Sequence, residues 1–260
     1  MSTINRDLYL NKLVNAMHNG MIKVIAGIRR CGKSFLLFNL FTDFLKKSGV
    51  DEKHIIQINL EDRRNKHLRN PDELLTYIDT RIGDKKMHYI LLDEVQMVNE
   101  FEDVLNSYLN IENADVYVTG SNAKFLSKDV ITEFRGRGFE IHIKPLSFSE
   151  FYSVNQDKSK EDALLEYMTY GGLPKIALEC DKSMKRKYLE SLFLSTYIVD
   201  IKERYSIQKD DELNELIQVL FSSIGCLTNP RKLADTFKSV KKSSITQETI
   251  KKENRSYALW

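Results

Sequence analysis

The sequence predicts an α/β fold built on a parallel sheet, and three observations support this prediction. Five short apolar runs alternate with segments whose apolar residues recur at the three- and four-residue spacing of a helix. A glycine-rich loop separates the first run from the next helix, and two consecutive acids end the third run. With 260 residues, the chain is long enough for a large core domain and a smaller unit.

The first apolar run, residues 21–26, leads into a phosphate-binding loop. Residues 27–34 fit G-x-x-x-x-G-K-[ST] at every fixed position, and an apolar helical pattern follows them. We expect Lys33 to reach the β- and γ-phosphates of a nucleotide and the Ser34 hydroxyl to ligate Mg²⁺. The loop and the first residue of the helix form the predicted nucleotide-binding set: Gly27, Ile28, Arg29, Arg30, Cys31, Gly32, Lys33, Ser34 and Phe35.

The loop also contains a cysteine near the start of a helix. The helix dipole and Lys33 both favour the thiolate form of Cys31. We therefore expect Cys31 to be more reactive than Cys180 and Cys226, and bound ATP to suppress its alkylation. A buried, inert thiol is the alternative.

The second apolar run, residues 55–60, is followed by Glu61 and Asp62. In an open parallel sheet the carboxyl ends of the strands line the ligand crevice, so either acid could lie near a metal ion. A solvated strand-to-helix loop explains them equally well. Asn70 and Pro71 then provide the cap and first turn of a helix that reaches about residue 81.

The third run ends in the consecutive acids Asp93 and Glu94. Asp93 at the tip of the strand can hold the metal through its water shell, and Glu94 can polarise the water that attacks the γ-phosphate. Because two carboxylates directly after a buried run would be costly to pack, they are expected to face a crevice. The pair favours ATP hydrolysis over passive nucleotide binding.

The fourth and fifth runs supply further polar candidates. Ser121 and Asn122 follow the fourth run, residues 115–119, as either a sensor of the γ-phosphate or an ordinary helix cap. Arg135 and Arg137 precede the fifth run, residues 139–143, and either could act as an arginine finger in its own site or in a neighbour's. A solvated basic turn fits the same spacing.

Composition excludes several classes of protein. No apolar run approaches the length of a membrane span, and the N-terminus lacks the apolar core of a secretion signal, so we expect a cytoplasmic protein without membrane contact. The three cysteines are widely spaced, and the five histidines form no ligand-spaced cluster in the sequence. The spacing therefore predicts neither a disulfide framework nor a zinc site.

The ordered motifs resemble those of the prokaryotic AAA+ ATPase family that carries GxRRxGKS, LDEVQ, TGSN, GR and PLSFxEF. They appear here in that order at residues 27–34, 92–96, 119–122, 136–137 and 145–151. The resemblance implies a P-loop NTPase fold of the AAA+ type with an additional strand and a catalytic glutamate, in the sheet order 5-1-4-3-2. It also implies a sensor at Ser121 or Asn122 and favours Arg137 as the finger.

The resemblance also suggests a domain organisation. We expect the AAA+ core at residues 1–151, a helical lid at 152–205, and a partial, truncated winged helix-turn-helix at 206–260. Its helices are predicted at 229–238 and 244–252. Between residues 229 and 260 eight Lys or Arg residues stand against three acids, a charge balance that suits a polyanion partner or a solvated face.

The leading functional hypothesis is a Mg²⁺-dependent ATP-hydrolysing switch or motor. Its expected partners are ATP, DNA at the basic C-terminal segment or a protein, and further copies of itself through the arginine finger. One alternative is a DNA-binding regulator that uses ATP only as a ligand, for which Glu94 would be dispensable. Another is a P-loop kinase, and Glu94 argues against it because a kinase must exclude water.

Overall fold

The structure is a computed structural model that describes residues 3–120, 134, 136–194, 217–219, 222 and 229. The chain divides into two compact units, residues 1–186 and 187–260. This division falls inside the predicted lid, and the three predicted domains stay a prediction. Almost all of the predicted winged-helix segment lies outside the described residues.

Within the described residues, five parallel strands form one sheet in the order 2-3-4-1-5. Viewed from the other edge this order is 5-1-4-3-2, so the predicted fold class and strand order are confirmed. The fourth strand is inserted between the first and the third, which is the additional strand that the resemblance implies. The strands are β1 Ile22–Gly27, β2 Ile55–Asn59, β3 His88–Asp93, β4 Ala114–Thr119 and β5 Gly138–Ile143.

Helices connect and flank the strands. The helix behind the phosphate loop, α2 (residues 33–47), is α-helical at Lys33–Phe35 and Thr42–Lys47 and π-helical at Leu36–Phe41. Short 3₁₀ segments occur at Glu52–His54, Arg63–Arg69, Val95–Met97 and Tyr108–Asn110. The other helices are α1 Asp7–Asn15, α3 Pro71–Asp79, α4 Phe101–Ser107, α5 Phe148–Ser153, α6 Lys160–Tyr170, α7 Pro174–Leu178 and α8 Lys182–Leu192.

The helix start that the sequence predicts at Asn70 is present, and the apolar face of the next helix packs into the core. The Asn70 side chain accepts hydrogen bonds from the backbone N–H groups of Asp72 and Glu73 at 2.9 and 3.2 Å, which caps α3. Four apolar residues at helical spacing in and just after α4 are buried in the main core: Phe101, Val104, Leu105 and Tyr108. Local sequence pattern and tertiary packing agree in this part of the chain.

A buried lysine interrupts the apolar core of β1. Lys23 is fully buried and forms an ion pair with Asp115 of the neighbouring β4. Tyr117 and the backbone N–H of His18 also donate hydrogen bonds to Asp115, at 2.8 and 3.1 Å. Burial lowers the pKa of Lys23, and the adjacent carboxylate opposes that shift. The pair thus neutralises a charge where the inserted strand meets β1.

The strand register brings the carboxyl ends of the inner strands to one edge of the sheet. Ile25 of β1 pairs with Thr119 of β4, and Asn59 of β2 pairs with Asp93 of β3. Side chains that follow these strands therefore meet at the same edge, where a parallel α/β sheet binds its ligand. The amino ends, where β5 begins after Arg137, lie at the opposite edge.

Candidate nucleotide-binding site

The phosphate loop curls tightly between β1 and α2. Its backbone has positive φ at Gly27 (152°), Arg30 (67°) and Gly32 (101°), and two of these three positions are glycines. A Cβ atom on Gly27 would lie 2.4 Å from the carbonyl oxygen of Ile143 at the end of β5. Glycine at this position allows the loop to begin in direct contact with β5.

Lys33 lies across the loop with its side chain folded inward. Only 5% of Lys33 is exposed, and its Nζ donates hydrogen bonds to the carbonyl oxygens of Gly27 at 2.9 Å and Ile28 at 3.0 Å. Both acceptors are neutral, whereas phosphate oxygens are charged and bind an ammonium group more strongly. The residues of the loop therefore fit a phosphate-bearing ligand.

A chain of hydrogen bonds joins the loop to the two acids after β3. The Ser34 hydroxyl donates to Asp93 Oδ1 at 2.9 Å, and the Thr119 hydroxyl donates to the same oxygen at 2.5 Å. The Thr119 oxygen in turn accepts the backbone N–H of Glu94 at 3.1 Å. The phosphate loop and the two strands β3 and β4 thus contribute to one polar cluster at the carboxyl edge.

The electrostatics of this cluster suit a small cation. Asp93 is 2% exposed, and burial raises the pKa of its carboxyl group, an effect opposed by the hydroxyls of Thr119 and Ser34 and by the charge of Lys33. A carboxylate next to a hydroxyl is the hard oxygen donor set that Mg²⁺ prefers. Ser34 and Asp93 therefore fit the metal-ligand role that the sequence predicts for them.

Glu94 has an unusual backbone conformation. Its φ and ψ of 56° and 49° are left-handed, which is uncommon for a residue other than glycine, asparagine or aspartate. The bond from its N–H to Thr119 holds the backbone there, and Gln96 Nε2 donates a hydrogen bond to its carboxylate. Such strained positions are frequent at functional sites. The sequence reasoning missed Thr119 and Gln96, although both lie within the TGSN and LDEVQ motifs.

Of the two acids after β2, Asp62 has a local role. Its side chain accepts the backbone N–H of Arg64 at 2.9 Å and pairs with the Arg64 guanidinium at 2.5 Å. This contact holds the pKa of Asp62 at about 2. These bonds stabilise the turn that starts the 3₁₀ segment, as the solvated-loop interpretation predicts.

Arg6 is a second contributor that the sequence reasoning missed. Its buried guanidinium donates to the carbonyl oxygens of Cys31 at 3.0 Å and Lys144 at 2.6 Å, and it pairs with Glu150 at 3.0 Å. One side chain therefore connects the phosphate loop to the chain after β5 and to α5. No motif marks it, because its partners are 25 to 144 residues away in the sequence.

Two residues of the PLSFxEF motif cap the start of α5. Ser147 and Glu150 form a reciprocal capping box, in which the Glu150 carboxylate also accepts the backbone N–H of Ser147 at 2.8 Å. Leu146 is joined to Gly172 by a backbone hydrogen bond of 2.7 Å, and a Cβ on Gly172 would lie 2.3 Å from the Leu146 carbonyl oxygen. The motif therefore builds the junction between the sheet and the helices that follow it.

Of the predicted sensor and finger residues, the structure describes Arg137. Ser121, Asn122 and Arg135 lie outside the described residues. Arg137 is exposed, and its carbonyl accepts the N–H of Ile22 at the first residue of β1. Ile22 and Gly27, the two ends of β1, are five steps of about 3.3 Å apart, so roughly 17 Å lies between Arg137 and the loop. Arg137 therefore cannot reach the phosphate loop of its own chain.

The structure favours the alternative given for Cys31, a buried and inert thiol. The Cys31 side chain is fully buried, and that burial raises the pKa of its thiol more than Lys33 and Arg6 lower it. A raised pKa leaves less thiolate at neutral pH, and burial blocks the reagent as well. We expect Cys31 to be alkylated much more slowly than the exposed Cys180, as measured by mass spectrometry of the native protein. Equal labelling rates would contradict this structure of the loop.

Comparison with known proteins places this site in a family. A profile described as an AAA domain matches residues 19–152, and a profile for a domain of unknown function matches residues 161–253. An uncharacterized protein of Haemophilus influenzae is 32% identical over 241 residues, which cover 91% of this chain and 60% of that protein. Another, from Methanocaldococcus jannaschii, is 30% identical over 258 residues, which cover 95% of this chain and 55% of that protein. The chain thus spans less than two thirds of the length of these relatives.

A solved structure shares the fold. A Walker-type ATPase of Pyrococcus abyssi superposes with a TM-score of 0.57 at 16% identity, covering 99% of this chain and 89% of that one. Among the described residues, no helix has the length and apolar character needed to cross a membrane. The chain belongs to the prokaryotic AAA+ ATPase family, whose general function is nucleotide binding.

Proposed function

We propose that this chain binds ATP together with Mg²⁺ and hydrolyses it, as a switch or motor that acts on DNA or a protein. The observation that supports the proposal best is the hydrogen-bonded chain from Ser34 through Asp93 and Thr119 to Glu94. It links the phosphate loop to the backbone N–H of Glu94, and the Glu94 carboxylate accepts a hydrogen bond from Gln96. A site that only binds nucleotide needs Ser34 and Asp93, but it does not need a glutamate held in a fixed orientation.

Each residue has a defined task in this proposal. Lys33 exchanges its bonds to the loop carbonyls for bonds to the β- and γ-phosphates, and Ser34 and Asp93 hold the metal. Bound Mg²⁺ would neutralise charge on the phosphates. Glu94 acts as the general base that orients and deprotonates the attacking water. The Thr119 hydroxyl bonds to both the Glu94 backbone and the Asp93 carboxylate, and so it fixes their relative positions.

The location of Arg137 favours self-association. Because Arg137 lies at the amino edge of the sheet, about 17 Å from the loop of its own chain, it can act as an arginine finger only on a neighbouring copy. We include this contact from copy to copy in the proposal, with Ser121 or Asn122 as the sensor within the same chain.

The partner is proposed from the charge of the C-terminal segment. Eight basic residues against three acids between positions 229 and 260 suit the phosphate backbone of DNA.

The rival functions differ in the fate of ATP. A regulator would bind ATP without turning it over, and a kinase would release phosphate only onto an acceptor.

The test is the steady-state rate of phosphate release with and without duplex DNA. We expect a basal rate without any acceptor and a higher rate with DNA at low salt. Affinity for DNA should fall as salt rises. In the double substitution Lys251→Ala with Lys252→Ala, the plot of log affinity against log salt should be less steep, by about 0.9 for each DNA phosphate that is no longer neutralised. No release would favour the regulator, and an unchanged slope would assign the basic segment a packing role.

A further inference from the structure

A second cluster of ligating side chains lies at the amino edge of the sheet. Ring nitrogens of His54 and His88 and a carboxylate oxygen of Asp84 all lie within 4.8 Å of one another. This edge is opposite the phosphate loop, since β3 runs from His88 to Asp93 over roughly 17 Å. The cluster is therefore separate from the nucleotide site.

The strand register explains how the two histidines meet. His54 ends the 3₁₀ segment before β2 and His88 opens β3, and the residues that follow them, Ile55 and Tyr89, are paired in the sheet. Their rings contact edge to face with centroids 4.9 Å apart. In the sequence the two histidines are 34 positions apart, so spacing alone gave no sign of this pair.

The third member lies on a loop that is held in place. Asp84 Oδ1 accepts the backbone N–H of Lys86 at 2.9 Å, and Asn113 Nδ2 donates to the Asp84 carbonyl at 2.8 Å. The Asp84 carboxylate also contacts His54 Nε2 at 2.9 and 3.2 Å. The loop therefore presents a carboxylate to the buried histidines before any ion binds.

One ring nitrogen of His88 lacks a partner among the described residues. His88 is only 2% exposed, and its Nδ1 is buried without a hydrogen bond to them. Most buried polar groups in proteins are hydrogen-bonded, and an exception calls for an explanation such as a bound ion. His54 is similarly buried, at 3% exposure, while the Asp84 side chain is 39% exposed and opens the cluster to solvent.

We propose that His54, His88 and Asp84 form a zinc site that connects β2, β3 and the loop before β3. Two imidazole nitrogens and one carboxylate oxygen are a ligand set that proteins use for Zn²⁺, with water completing the tetrahedron. Ligands about 2.0 to 2.2 Å from the ion lie about 3.4 Å apart, so a small side-chain rotation would close the cluster. Mg²⁺ prefers oxygen ligands and does not suit this site.

Lys53 provides a test of the electrostatics. Its Nζ lies 3.7 Å from Asp84 Oδ2, and its side chain is 63% exposed. A positive charge there repels a cation and competes for the carboxylate. Replacing Lys53 by alanine should therefore tighten zinc binding by a few-fold, the scale of an exposed ion pair.

The experiment is a calorimetric titration of Zn²⁺ into the tag-free, chelator-treated 260-residue chain in the presence of excess Mg²⁺. We expect one zinc per chain. Substitution of residues that only hydrogen-bond to a metal ligand lowers metal affinity by about 10- to 100-fold. Loss of a ligand in His88→Ala or Asp84→Asn should therefore weaken zinc affinity by more than about 100-fold. Asp84 is exposed, so Asp84→Asn keeps the test valid if the buried histidine variant does not fold.

Matched controls separate this site from other binders. The exposed His67 and Cys180 and the nucleotide-site Asp93 should be dispensable, so His67→Ala, Cys180→Ser and Asp93→Asn should each retain full zinc affinity. Bound Co²⁺ should give tetrahedral visible absorption without a thiolate charge-transfer band. Absence of binding, binding that Asp84→Asn and His88→Ala leave unchanged, or a thiolate band would overturn the proposal.

Discussion

Replacing Glu94 by glutamine should leave ATP binding intact and slow ATP turnover by about 10²- to 10⁴-fold, the usual contribution of a general base. Glutamine keeps the size and the hydrogen-bonding capacity of the side chain but cannot take a proton. The step that needs an activated water is thus the only one affected, and kcat should fall without a rise in the dissociation constant. Single-turnover phosphate release and equilibrium binding of ATP measure the two effects separately.

The chain offers a close control for this variant. Glu100 is an exposed glutamate with a left-handed backbone (φ 52°), so Glu100→Gln repeats the chemical change in the same conformation without touching the cluster. We expect Glu100→Gln to retain the wild-type rate. Equal losses of binding and turnover in Glu94→Gln would instead make Glu94 a structural residue.

Replacing Lys33 by alanine should weaken nucleotide binding strongly. The substitution deletes the buried ammonium group that the loop holds over its own carbonyls, and with it two or more charge-assisted hydrogen bonds to phosphate. Each such bond contributes roughly 1.5 to 3 kcal/mol. Because Lys33 gives up its bonds to the loop carbonyls when it binds phosphate, the net loss of binding free energy is about 2 to 4 kcal/mol. That corresponds to about 30- to 1,000-fold in the dissociation constant.

Calorimetric titration with ATP and Mg²⁺ measures this loss, and two controls show that it is local. Lys46→Ala removes an exposed lysine from the same helix, where it pairs with Glu52, and should leave affinity unchanged. The thermal unfolding midpoint of Lys33→Ala shows separately whether losing the bonds to the loop carbonyls destabilises the fold. Unchanged ATP affinity in Lys33→Ala would remove the basis for the phosphate-loop assignment.

Much of the fold was predictable because it depends on local pattern. Apolar runs of strand length, glycines at tight turns and the cap at Asn70 act over a few residues and are visible in any window of sequence. The strand order, by contrast, entered through the resemblance to a family, since neither periodicity nor spacing distinguishes one order of parallel strands from another. The sheet then placed Ser34 next to Asp93, which lie 59 positions apart.

The remaining details were decided by tertiary structure alone. Burial reversed the expected chemistry of Cys31, because desolvation raises the pKa of its thiol more than nearby charges lower it. Arg6 joined the site through contacts that no motif marks, and Thr119, although it lies within the TGSN motif, joined it through hydrogen bonds to Asp93 and Glu94. The register of β2 and β3 brought His54 against His88, although the sequence predicted no metal cluster. Local sequence determines which elements form, but side-chain environments arise from neighbours distant along the chain, and only the folded sheet brings those together.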